Sequence, residues 1–79
     1  MSSDKQKKLE AIFRLVFQLT PEADVTGVRQ LTEANWDSLA HVSLVAALES
    51  EFNVTVDTSE ALQLTSYRAV ELLLQQKGA

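Results

Sequence analysis

The sequence predicts an all-α fold, a small four-helix bundle of three main helices plus one short one. Three observations carry this reading. Apolar residues recur at helical spacing in three stretches, Leu9 to Leu19, Leu44 to Phe52 and Val70 to Leu74, as expected of helices that bury one face. The one run of three β-branched residues, Val54-Thr55-Val56, is too short for a sheet and has no partner strand elsewhere. The 79 residues include no cysteine, so the core must be aliphatic helix packing without a disulfide or a thiolate metal site. A chain of this length is expected to form one domain, 1–79. It would bury only about 60–65% of its unfolded surface, which makes its stability modest.

The first helix is expected over about 4–18. Ser3-Asp4 offers cap residues, Leu9, Ile12, Phe13, Val16 and Leu19 form the inward stripe, and Lys8, Glu10 and Arg14 fall on the wet side. Pro21 sets its end by driving Thr20 away from helical angles. Residues 20–36 make a long connection with turn residues throughout, and Val25, Val28, Leu31 and Trp36 are expected to anchor it. Connections of this length are unusual in compact domains. This one makes sense if it crosses the bundle to enter the second helix from a chosen end.

The second helix is expected over about 38–51. Leu44, Val45, Leu48 and Phe52 form its inward face, while Leu39, Val42 and Ala46 make a second apolar surface. That is more apolar area than one stripe needs, so the helix is either deeply buried or shows a face to a partner. Phe52-Asn53 ends it, and residues 54–57 act as a linker. Asp57 or Thr58 caps a short helix at about 59–63, with Ala61, Leu62 and Leu64 inward. Thr65-Ser66 caps the last helix, in which Val70, Leu73 and Leu74 point inward and Lys77 suits the C-terminal dipole. Gly78-Ala79 reads as a frayed end.

Charge and composition narrow the function. A net charge of −4 and a pI near 4.8 leave no basic patch for phosphate neutralisation, which argues against nucleic-acid binding. An acidic chain suits soluble partners with basic docking surfaces. No apolar run approaches the roughly 18 residues of a membrane span, and MSSDKQKK leads into an amphipathic pattern rather than a signal peptide's apolar region. The expected compartment is the cytoplasm, and the expected state a monomer without membrane insertion.

The residues that could carry chemistry gather at the head of the second helix. Asp37 and Ser38 are both good N-cap residues, so the pair could do nothing beyond starting a helix. One cap suffices, however, and Asp37 can supply it, which leaves the Ser38 hydroxyl free. A phosphodiester there would be held by free backbone N–H groups and the positive end of the dipole. Ser38 is therefore the candidate for a phosphate-linked arm such as phosphopantetheine. A hydrolytic arrangement of Ser38, His41 and Asp37 is a poor alternative, because all three lie on one helix, with no second element to orient the imidazole and little room for a cleft. One His and no Cys give no metal site. Glu49, Glu51 and Glu60 read as solvated surface with a docking role, and His41 as a surface residue close enough to Ser38 to touch a docked partner.

These residues resemble a known family. Asp37-Ser38-Leu39, followed by Val42, Leu44-Val45, Ala47-Leu48-Glu49 and Glu51-Phe52, is similar to the signature of acyl carrier proteins, and the likeness extends over nearly the whole chain. The resemblance implies a stand-alone carrier, itself no enzyme, whose serine receives 4′-phosphopantetheine from coenzyme A through a phosphopantetheinyl transferase. The arm's thiol then holds an acyl or aminoacyl thioester for separate loading and condensing enzymes. Carried over by position, Ser38 is the attachment site, and Asp37 and Leu39 are read by the transferase. His41, Val42, Ala46 and Glu49 complete the face expected to meet partners.

The departures from the family pattern also inform. Dedicated fatty-acid carriers typically place acids where this chain has Ala40 and Ser43, and a glycine where it has Asn35, while Trp36 directly precedes the motif. Docking by charge is then weaker and Leu39, Val42 and Ala46 contribute more apolar contact. The expectation is a carrier for a specialised polyketide, peptide or modified-lipid pathway. The alternatives are a housekeeping fatty-acid carrier and an unmodified helical interaction module in which the Asp-Ser pair is only a cap.

Overall fold

A computed structural model describes residues 3–79 of the chain. Met1 and Ser2, the start of the polar leader read above, lie outside the described residues. Four helices follow in order: α1 (Ser3–Phe17), α2 (Ser38–Phe52), α3 (Thr58–Leu62) and α4 (Tyr67–Gln76), with a 3₁₀ turn at Val25–Gly27 in the first connection. This is the all-α bundle of three main helices and one short one.

Local chemistry sets the boundaries that follow Ser3. α1 takes Ser3 and Asp4 into its first turn, where the Asp4 carboxylate favours the positive dipole end. It stops at Phe17 because Gln18 turns left-handed (φ 56°) and Leu19 N–H donates back to the Arg14 carbonyl at 3.0 Å, the closing bond of a Schellman turn. Pro21 follows this reversal and does not cause it. Asp37 caps α2 through Oδ1, which accepts from Ala40 N–H at 2.8 Å, and left-handed Asn53 ends the helix. α3 begins with a capping box, in which Asp57 accepts from Glu60 N–H at 2.8 Å and Glu60 accepts from Asp57 N–H at 3.1 Å. Ser66 caps α4 by accepting from Ala69 N–H at 3.0 Å.

The C-terminus corrects one expectation. Gly78 sits at φ 76°, Gly78 N–H donates to the Gln75 carbonyl at 3.1 Å and Ala79 N–H to the Leu74 carbonyl at 2.9 Å. The pair closes α4 as a full Schellman motif, and Ala79 packs against the core.

One core holds the elements together. Leu9, Ile12, Phe13 and Phe17 of α1 meet Leu44 and Leu48 of α2, and Tyr67, Val70 and Leu74 of α4, with Val25, Trp36, Val56 and Leu64 supplied by the connections. Aromatic rings make its centre: Phe13 stands edge-on to Tyr67 at 5.1 Å and to Trp36 at 5.9 Å, and Phe17 lies 4.5 Å from Trp36. Such tilted contacts add to simple burial. Phe17 and Tyr67, absent from the expected stripes, are fully buried, whereas Val16 and Leu19 are only half-buried.

The long connection crosses the bundle as expected. Gln30 N–H donates to the Thr65 carbonyl at 2.9 Å and Tyr67 N–H to the Val28 carbonyl at 3.0 Å, stitching it to the α3–α4 turn. Val25 and Trp36 are buried anchors and Val28 packs beside them, but Leu31 is 96% exposed. The two bonds pair Arg29 with Ser66 as an isolated antiparallel bridge, and Leu31 falls in the turn beyond it. Leu62 is likewise 73% exposed: it is the last residue of α3 and lies about 100° round the helix from Ala61, which packs against the core.

Candidate functional site

The head of α2 is where the sequence concentrates its chemistry, and the fold shapes the ground around it. Asp37 has extended backbone angles (φ −100°, ψ −176°), so its side chain reaches over the first turn and takes the N–H of Ala40. Its carbonyl accepts from His41 N–H at 2.9 Å. Capping is thereby completed by Asp37, and Ser38, the first helical residue, is exposed. The N–H groups of Ser38 and Leu39 lead this turn and face the helix entrance, where backbone dipoles favour an anion. An exposed hydroxyl beside such donors fits a phosphodiester.

Beside Ser38 lies an open cleft of about 560 Å³ lined by Trp36, His41, Val42, Gln30 and Leu62. Its back wall is built from the first connection. Trp36 is buried against Phe17, and its indole Nε1–H donates to His41 Nδ1 at 3.1 Å. The other ring nitrogen of His41 lies 2.8 Å from the Ala61 carbonyl. His41 therefore ties together the connection, α2 and α3, and is half-buried, not the surface residue expected. Both nitrogens are engaged away from Ser38, and the Asp37 carboxylate is held by a backbone N–H, so the three residues form no hydrolytic relay.

The site residues expected from sequence split into groups. Ser38, Asp37, His41 and Val42 share the cleft. Leu39, 76% exposed, faces the other way, toward Ala40, Ser43 and Gln18. Ala46 lines a second groove of about 310 Å³ between α2 and α3, with Val42, Val45, Val56 and Ala61. Glu49 borders that groove, but its Oε2 accepts from Val56 N–H at 3.0 Å, so this carboxylate fastens the linker. Glu60 is also not free surface, since it closes the α3 capping box and pairs with Lys77 at 3.0 Å. The sequence reading missed Gln30 and Leu62 as parts of the cleft. Helical phase would have found Leu62, whereas nothing local could have placed Gln30.

Comparison with known proteins decides the family. The family described as "Phosphopantetheine attachment site" matches residues 7–74.

The chain belongs to that family.

Its cofactor is a covalently attached 4′-phosphopantetheine. This phosphopantetheine-attachment chain is also 35% identical over 74 residues to acyl carrier protein 2, chloroplastic, of Spinacia oleracea, with 89% of the chain and 57% of that protein covered. Over 82 residues it is 35% identical to acyl carrier protein 5, chloroplastic, of Arabidopsis thaliana, with 95% of the chain and 59% of that protein covered. The chain thus spans less than three fifths of the length of these relatives. Among the described residues, no helix is long and apolar enough to cross a membrane.

Proposed function

We propose that the chain is a single carrier unit, without catalysis of its own, in which Ser38 bears the phosphopantetheine arm and the arm's thiol holds a thioester passed between separate enzymes. The observation that carries this reading is the division of labour at the head of α2: Asp37 does the capping and Ser38 keeps an exposed hydroxyl beside an open cleft. Within the chain's own chemistry, Ser38 Oγ supplies the nucleophile for a transferase, the first-turn N–H groups hold the resulting phosphodiester, and Val42 and Leu62 border the path of the arm. The arm supplies the thiol that forms the thioester.

The partners proposed are a phosphopantetheinyl transferase and acyl- or aminoacyl-loading and condensing enzymes, met by a monomeric chain in the cytoplasm, although both relatives carry plastid names. We read the pathway as a specialised one. Ala40 and Ser43 stand where an acidic docking stripe would lie, while Leu39, Val42 and Leu62 are exposed around Ser38 at 76%, 65% and 73%. These exposed residues, on both sides of Ser38, favour partners with apolar docking surfaces.

The direct test is to incubate the unmodified protein with coenzyme A and a broad-specificity transferase and weigh it intact. The wild type gains one phosphopantetheine, and Ser38→Ala gains none. An unchanged wild-type mass would leave the interaction-module reading, and an equal gain on Ser38→Ala would overturn Ser38 as the attachment site. Replacing Ala40 and Ser43 with acids should improve turnover by fatty-acid synthase enzymes; equal turnover before the change would favour a housekeeping role.

A further inference from the structure

The cleft beside Ser38 has neighbours on two sides. Through His41 and Val42 it adjoins the groove between α2 and α3, which Glu49 and Asp57 border. Through Gln30 it adjoins another open space, of about 400 Å³, lined by Arg29, Leu31, Thr65 and Ser66. These two neighbours differ in charge. Among the described residues, the groove has two carboxylates and no Lys or Arg, whereas the space at Arg29 has one guanidinium and no carboxylate.

Arg29 is held at its backbone and free at its side chain. Its backbone pairs with Ser66 across the antiparallel bridge. Its carbonyl accepts from Glu33 N–H at 2.9 Å, from Thr32 N–H at 3.1 Å and from Thr32 Oγ1 at 3.3 Å. The nearest acid in sequence, Glu33, has its Oε1 taken by Asn35 N–H at 3.1 Å. Arg14, Arg68 and Lys77 each pair with a glutamate, but among the described residues Arg29, which is exposed, pairs with no acid. In a chain of net charge −4, that leaves a fork of N–H donors open to an anion from outside the fold.

We propose that Arg29 selects the cargo: the acyl group on the Ser38 arm ends in a free carboxylate, which Arg29 binds while the arm lies along the cleft past Gln30. The inference rests on the carrier function proposed above and names its substrate class. A guanidinium takes a carboxylate through two parallel N–H···O bonds. Leu31, 96% exposed at the same space, offers apolar contact to the methylenes between carboxylate and thioester. An exposed ion pair between free molecules is weak. A tethered one need not be strong, because a short flexible link gives an effective concentration on the order of mM. The groove beyond Val42 is disfavoured for such a cargo, since Glu49 and Asp57 repel a third carboxylate. An uncharged acyl group has no comparable reason to pass Gln30.

The test compares two acyl groups of equal carbon number, one with a terminal carboxylate and one without. The unmodified protein is incubated with a broad-specificity transferase and either succinyl- or butyryl-coenzyme A, and loading is read by intact mass. In NMR spectra, succinyl loading should shift the Arg29 Nε–H and the amides of Gln30, Leu31 and Ser66 relative to butyryl loading. High salt should remove the difference. Arg29→Gln changes an exposed side chain, so it should melt with the wild type and gain the same mass, yet lose these shifts. Three outcomes overturn the inference while the carrier function stands: equal spectra for the two cargoes, a succinyl shift that persists in Arg29→Gln, or a succinyl shift centred on Val45 and Ala46 of the groove. Failure of the wild type to gain mass, or an equal gain on Ser38→Ala, overturns the carrier site itself, and the inference falls with it.

Discussion

Asn35 Nδ2 donates to the backbone carbonyl of Phe17 at 2.8 Å. This one bond fastens the end of α1 to the residue two places before Asp37, and Phe17 in turn packs on Trp36, the residue after Asn35. Asn35 therefore has a structural reason to stand where carriers of the resembled type have glycine: it satisfies a carbonyl that the end of α1 leaves open. Asn35→Gly is expected to lower stability by about 0.5–1.5 kcal/mol, the usual net value of one such bond. The urea midpoint should fall while the slope of the transition is unchanged.

At the head of α2 two neighbouring residues should respond in opposite ways. Asp37→Ala removes the acceptor for Ala40 N–H and should cost roughly 0.5–2 kcal/mol. Ser38→Ala removes an exposed hydroxyl outside the cap and should leave the melting temperature unchanged. Thermal melts of the two variants, run beside the mass measurement, separate the fold from the chemistry. A large loss of stability in Ser38→Ala would show that Ser38 shares the capping after all.

The caps were legible because they are local. Asp37, Asp57 and Ser66 each reach an N–H three residues on, a distance any short window of sequence contains. The inward faces of α2 and α4 were legible in part for the same reason, since Leu44, Leu48, Val70 and Leu74 hold helical phase. Phe17 and Tyr67 were not. Phe17 is the last residue of α1 and Tyr67 the first of α4, where a stripe has no flank to define it, and both are buried by rings brought from distant segments. The role of His41 was out of reach because Trp36 and Ala61 come to it from opposite sides only after the first connection and α3 have folded. Leu31 and Leu62 show the opposite error: apolar residues assigned to the core for their type, then left outside by a bridge and by helical phase.

Leu48 and Leu62 make that difference measurable. Leu48 is fully buried in the core, and Leu48→Ala should destabilise by about 2–5 kcal/mol through lost burial and the cavity left behind. Leu62→Ala removes a side chain that stands 73% exposed and should change stability by no more than about 0.5 kcal/mol. Denaturant unfolding of both variants checks the pair. On the proposed function, Leu62→Ala should instead weaken partner turnover.

Tyr67 offers a test by alkaline titration. Its ring is fully buried, and its hydroxyl oxygen has no hydrogen-bond partner among the described residues. Burial, followed by the negative charges of Glu10 and Glu71, pushes its ionisation up to about 12 from an ordinary value of 10.0. The folded state thus keeps the phenol proton at a pH where the unfolded chain gives it up. The fold is unaffected by this group below pH 10 and loses stability as the pH rises from 10 to about 12, because there the folded state binds more protons than the unfolded one. Tyr67→Phe removes both the titration and an unsatisfied polar atom, so it should be neutral or stabilising at pH 7 and should flatten the decline above pH 10. The check is a series of urea midpoints from pH 8 to 12 for both proteins. Parallel curves would mean that the hydroxyl finds a partner in solution.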